Sequence, residues 1–140
     1  MSGVVVVAEN GQGRYQQGVT VGQHQLIADE PASMGGADAG PAPFDFLMSG
    51  LGACTSMTLR MYAEIKQLPL SGIDVQLTHE KIEVEGLGKV DHIERIITLS
   101  GELSPAQRTR MLEIANKCPM YRTLRADIRI DSTLAGSAET

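Results

Sequence analysis

The chain has 140 residues, of which 12 are basic and 17 acidic, giving a formal charge of -5 at pH 7. That length accommodates one domain, residues 1–140, around one core. The charge balance, with no Lys/Arg cluster longer than a pair, argues against electrostatic binding to nucleic acid or an anionic membrane.

The first apolar run, residues 4–8, lacks a basic segment before it and is too short for a secretion signal or a membrane span, so a cytoplasmic protein is expected. In that reducing compartment a lasting disulfide is not expected. The two cysteines, Cys54 and Cys118, are therefore either unpaired core thiols or a reversible redox couple, and composition does not choose between them.

Residues 4–8, 15–21 and 24–28 read as a small meander of strands, separated by a turn at 10–13 and by Gly22. The stretch 29–43 holds Pro31, Gly35, Gly36, Gly40, Pro41 and Pro43 and is expected to be an extended surface loop without a regular element. Pro43 suits the first turn of a long helix over 44–66, ended by Leu68-Pro69-Leu70-Ser71-Gly72. The apolar residues of this helix fall on no single stripe, and Ser49, Thr55, Ser56 and Thr58 are small enough for a crowded interior. A helix apolar nearly all round is expected to be buried nearly all round. A chain this small lacks the material to cover it, which predicts a homodimer with this helix at or near the interface.

Next, Ile73, Val75 and Leu77 alternate with polar residues, and the apolar phase resumes one register off at Ile82 and Val84, which predicts a strand with a bulge near Glu80. Gly86-Leu87-Gly88 turns the chain into a second strand over 92–100. Ser104 and Pro105 then cap and start a helix running to about Lys117, with Met111, Leu112, Ala115 and Cys118 on one face. Pro119 breaks that helix and is expected to leave the Cys118 sulfur exposed or mobile. A last strand over 127–131 and a frayed polar tail over 135–140 complete the reading.

The run Gly40-Pro41-Ala42-Pro43-Phe44-Asp45-Phe46-Leu47, followed by Leu51-Gly52-Ala53-Cys54-Thr55, resembles the signature of the OsmC/Ohr family, the osmotically induced and organic-hydroperoxide-resistance proteins. Lys117-Cys118-Pro119 is similar to the family's second cysteine, and the order of elements agrees over nearly the whole chain. Thr58-Leu59-Arg60-Met61-Tyr62-Ala63 is most similar to the OsmC-like branch of unassigned function. The resemblance implies an α+β fold, with antiparallel sheets around a long buried central helix and a second helix, in an intertwined homodimer with two interfacial sites. It further implies a thiol peroxidase in which Cys54 attacks a hydroperoxide, Cys118 resolves the sulfenic acid as a disulfide, and a dithiol reductant resets the pair without a metal or organic cofactor. Leu51, Met57 and Phe44 would favour a small apolar alkyl hydroperoxide over hydrogen peroxide.

The family holds its thiolate with an arginine oriented by an acid. The counterpart of the arginine here is Arg14, in Gly13-Arg14-Tyr15. Active members carry Glu ten residues before the cysteine, where this sequence has Phe44; the nearest acid is Asp45, nine before. Nine residues turn Asp45 about 180° from Cys54 and place it about 13 Å along the helix axis, so the two cannot touch within one regular helix. Asp45 can reach Arg14 or a partner subunit, or simply favour the positive end of its helix. Arg60 is placed to pair with Glu64 at the next turn. His24, His79 and His92 have no metal-ligand spacing. The rival reading is a small-molecule-binding module on the same fold, its cysteines structural or slowly oxidised.

Overall fold

The computed structural model describes residues 3–136. The elements are β1 (Val5–Glu9), β2 (Gln17–Val21), β3 (His24–Ala28), a single 3-10 turn (Ala32–Met34), α1 (Pro43–Ile65), β4 (Leu70–Val84), β5 (Gly88–Gly101), α2 (Pro105–Ala115) and α3 (Pro119–Arg125). They form an antiparallel three-stranded sheet in the order β1-β2-β3 and a β4-β5 hairpin. The fold class is α+β, as expected. The chain divides into two compact units: residues up to Gly52 with Gln76–Ile96, and Ala53–Val75 with the residues from Ile97 on.

In the first unit β2 is the central strand, with Val19 opposite both Val7 and Leu26. A two-residue turn joins β2 to β3, and Gly22 supplies the positive φ of 59° that such a turn requires at its first position. The stretch after β3 is wound around one carboxylate rather than extended. Asp29 is 3% exposed; its Oδ1 accepts the Glu30 N–H at 2.8 Å, and its Oδ2 accepts those of Ala37 at 3.2 Å and Ala39 at 3.1 Å. These bonds, led by that of Ala39, hold the Asp29 carboxyl below its ordinary pKa despite burial. Gly40 completes the wrap, since a Cβ there would run into the carbonyl of Ile27. The 3-10 turn within this stretch corrects the expectation of no regular element.

Further along the first unit, the inward-facing alternation of β4 slips by one residue at Glu80 and Lys81, where the sequence predicted a bulge. His79 Nε2 and Lys81 Nζ each lie 2.9 Å from a carboxylate oxygen of Asp91 on β5, and the Phe44 ring stacks on His79 with centroids 4.4 Å apart. Lys81 first and His79 second lower the Asp91 pKa.

The second unit holds the core. Leu59, Ala63, Leu70, Met111, Ile114 and Ala115 cluster there, with Leu59 and Ala115 completely buried. α1 stops where Gln67 takes a left-handed φ of 54° and the Leu68 N–H reaches back to the Ala63 carbonyl at 2.9 Å, satisfying an end carbonyl before Pro69 intervenes. α2 starts in a full capping box: Ser104 Oγ accepts the Gln107 N–H at 3.1 Å, and the Gln107 side chain accepts the Ser104 N–H at 2.8 Å.

Within the single chain α1 leaves Met57, Met61 and Ile65 60%, 62% and 77% exposed, the shortage of covering material that the sequence predicts. Other expectations need correction. Leu112 points outward at 59% exposure and leaves the face shared by Met111 and Ala115. α2 ends at Ala115, before the proline, and a further helix, α3, starts at Pro119, whose fixed φ and missing N–H suit a first helical position. Residues 127–131 form no strand among the described residues; Ile128 and Ile130 alternate as a strand would but remain 54% and 83% exposed, with no ladder to join. Residues 137–140 of the expected tail lie outside the described residues.

Candidate active site

Cys54 sits in the middle of α1 and Cys118 at the break between α2 and α3, both within the second unit. The break brings the second sulfur back to the first. α2 ends with the Lys117 and Cys118 N–H groups bonded to the Ile114 and Ala115 carbonyls, at 2.9 and 3.3 Å, and Cys118 adopts extended angles (φ -56°, ψ 132°) as the N-cap of α3. The sulfurs lie 2.8 Å apart, hydrogen-bonded as two free thiols, the Cys118 thiol donating.

Their exposures are the reverse of the sequence expectation. Cys118 is fully buried, whereas Cys54 is half-buried. Cys118 is not released by its proline: its N–H is bonded to the Ala115 carbonyl, and its sulfur lies against Cys54 and the buried Thr55 of α1.

Burial acts on both thiols in the same sense, disfavouring the charged form. At Cys118 it is outweighed by the bond to Cys54, by the N–H groups of Tyr121 and Met120 and by the Thr55 hydroxyl, so the Cys118 pKa is lowered. The two N–H groups belong to the first turn of α3, where the positive ends of the backbone dipoles attract the sulfur's charge. At Cys54 burial comes first and Cys118 second, raising the pKa; the Met120 N–H and the Thr58 hydroxyl oppose them. With a proton shared across 2.8 Å, the two values belong to the pair. One proton leaves more readily than an ordinary thiol's, because the remaining thiol bonds to the charge, and the other leaves less readily.

Arg14 and Asp45 lie in the first unit, each engaged locally. The Arg14 guanidinium stands 4.8 Å over the Tyr15 ring and beside Gly35. Asp45 Oδ2 accepts the Ala42 N–H at 3.0 Å, closing the first turn of α1 on the residue before Pro43. Arg60 does not pair with Glu64; its Nη1 donates to the Leu70 carbonyl at 2.9 Å. The residues that sequence reasoning passed over are Thr55 and Thr58. Thr55 is completely buried beside Cys118, and Thr58 follows Cys54 by four residues on the same helix face. That spacing was the available signal.

No cluster of three or more His, Cys, Asp or Glu side chains able to hold a metal occurs among the described residues. No helix there is long and apolar enough to cross a membrane.

The family model for OsmC-like proteins matches residues 35–133. No curated protein matches the chain. Among solved structures, an OsmC-like protein from Mycoplasma pneumoniae is similar with a TM-score of 0.74 at 18% identity, over 89% of this chain and 88% of that one. A putative osmotic stress induced and detoxification response protein from Psychrobacter arcticus 273-4 gives 0.71 at 18% identity, over 88% and 90%. An organic hydroperoxide resistance protein OsmC from Legionella pneumophila gives 0.67 at 17% identity, over 89% and 90%. At these identities the likeness is one of fold.

Proposed function

The chain belongs to the OsmC-like protein family, which includes hydroperoxide resistance proteins, and on that footing we propose that it is a thiol peroxidase reducing organic hydroperoxides through Cys54 and Cys118. The observation that carries this reading is the pair of free sulfurs 2.8 Å apart, one half-buried and one fully buried. A nucleophile must be reached by its substrate; a resolving thiol must instead be close to the nucleophile.

In the proposed cycle the Cys54 thiolate attacks the terminal oxygen of the hydroperoxide. The S–O bond forms as the O–O bond breaks, and the alkoxide leaves and takes up a proton as the alcohol. The Cys118 thiolate then attacks the sulfenic sulfur; the S–S bond forms, the S–O bond breaks, and the oxygen departs as water after protonation. A dithiol reductant of the cytoplasm returns the disulfide to two thiols. Sulfur serves as both nucleophile and electron store in these steps, with no metal or organic cofactor entering them. The exposed Met57, Met61 and Ile65 on α1 support a homodimer formed over this face, in keeping with a family whose members are typically dimers.

The test is to treat the reduced protein with one equivalent of an organic hydroperoxide and follow intact mass and free thiols over seconds. Loss of two hydrogens and of both thiols is the expected result. Retention of both thiols would instead favour a binding module on the same fold.

A further inference from the structure

Reaction at Cys54 requires negative charge on the accessible sulfur, yet burial and the neighbouring Cys118 both push charge away from it. Two groups among the described residues pull it back: the Met120 N–H and the Thr58 hydroxyl. The first belongs to the backbone and is present whatever side chain follows Pro119. The second is a choice of side chain.

Helix geometry places the two side chains together. In an α-helix the Cα–Cβ bond leans toward the N-terminus, so the side chain four residues on is laid over the one before it. Thr58 stands in that relation to Cys54 on α1, and both are half-buried, so the hydroxyl sits where it can serve the sulfur while a substrate can still reach it. Thr55, one residue after Cys54, is fully buried and its hydroxyl acts instead on Cys118. The two hydroxyls thus divide between the two sulfurs. Arg60, the nearest cation along the same helix, gives its Nη1 to the Leu70 carbonyl.

We propose that Thr58 is a catalytic residue of this chain, its hydroxyl donating to Cys54 Sγ and holding the thiolate at the accessible end of the cysteine pair. The inference rests on Cys54 being the reactive thiol of the proposed function, but its test requires no peroxide chemistry.

The alkylation rate of Cys54 by iodoacetamide is measured against pH in three proteins, each carrying Cys118→Ser so that Cys54 is the sole thiol: one with Thr58, one with Thr58→Val and one with Thr58→Ser. Valine keeps the shape and removes the donor; serine keeps the donor and removes the methyl. The rate profile of the valine protein is expected to move up by about one pH unit, about tenfold slower on its lower limb, as befits one lost hydrogen bond to an anion, while the serine protein follows the parent. A valine profile lying on the parent's overturns the proposal; that result is expected if the hydroxyl serves only the helix backbone. A serine profile shifted as far as valine's also overturns it, because the methyl's packing would then be the cause. If the hydroperoxide test fails while the valine shift is seen, the role of Thr58 at the thiolate stands and the peroxidase reading alone falls.

Discussion

Cys118 places its sulfur 2.8 Å from that of Cys54, although 64 residues separate them in sequence, and the buried partner of this pair is Cys118. A disulfide needs the sulfurs at about 2.05 Å, so bond formation requires a closure of about 0.8 Å rather than a refolded segment. The break between α2 and α3 creates this proximity, because Cys118 is at once the residue after the last turn of α2 and the N-cap of α3. In the proposed cycle the more exposed sulfur is the one that meets the hydroperoxide, and the buried one resolves it.

The shared proton has a signature in titration. Thiolate absorbance followed against pH is expected to rise in two separate steps, one below and one above the range of an ordinary thiol, since the Cys118 pKa is lowered and that of Cys54 raised. Each single Cys→Ser variant should show one step. A single two-thiol step at the ordinary value of about 8.5 would contradict the coupling.

Asp29 predicts an acid sensitivity of known sign. Its folded pKa is lowered by the N–H groups of Ala39, Glu30 and Ala37, so between the folded and unfolded values the unfolded chain binds more protons. The stability it contributes is complete above the ordinary carboxylate value of 3.8 and is lost as pH falls through the folded value. Asp29→Asn should lower the melting temperature at neutral pH, remove part of the acid sensitivity and speed hydrogen exchange at the Ala37 and Ala39 amides. Unchanged exchange at both would show that the carboxylate does not hold this loop.

Leu59 is completely buried in the core cluster, whereas Leu112 is 59% exposed. Leu59→Ala should cost about 3 kcal/mol in chemical denaturation, and Leu112→Ala within about 0.5 kcal/mol of nothing. Equal losses would contradict the facing assigned to α2 and α1.

Much of this architecture was legible in the sequence because local rules decide it. Ser104 with Pro105 announces a helix start through hydrogen bonds made within one turn, and the phase slip at Glu80 and Lys81 follows from the two-residue period of a strand. What was not legible depends on neighbours distant in sequence. α2 ends before Pro119, which starts α3, and only Cys54 and Thr55, distant in sequence, decide that the Cys118 sulfur is held rather than released. Ile128 and Ile130 have the alternation of a strand, yet a strand exists only where another edge accepts its hydrogen bonds. Of the proposed site, both cysteines were readable from their contexts. Thr58 was not singled out, because a polar residue in an apolar helix also reads as one that a crowded interior can hold.

The exposed face of α1 carries the dimer prediction. Sedimentation of the wild-type chain should give a dimer, and Met61→Glu, which sets a charge on a side chain 62% exposed in the single chain, should give a folded monomer. A variant still dimeric at the same concentration would place the interface elsewhere.

The central claim, that Cys54 receives the peroxide oxygen and Cys118 removes it, is tested most directly by the intact mass of the Cys118→Ser protein after one equivalent of an organic hydroperoxide, with peptide mapping. The account predicts one added oxygen, located on Cys54 and trapped there as sulfenic acid, with no such gain in Cys54→Ser. An unmodified Cys54 in the first protein, or an oxygen taken up by Cys118 in the second, would contradict it.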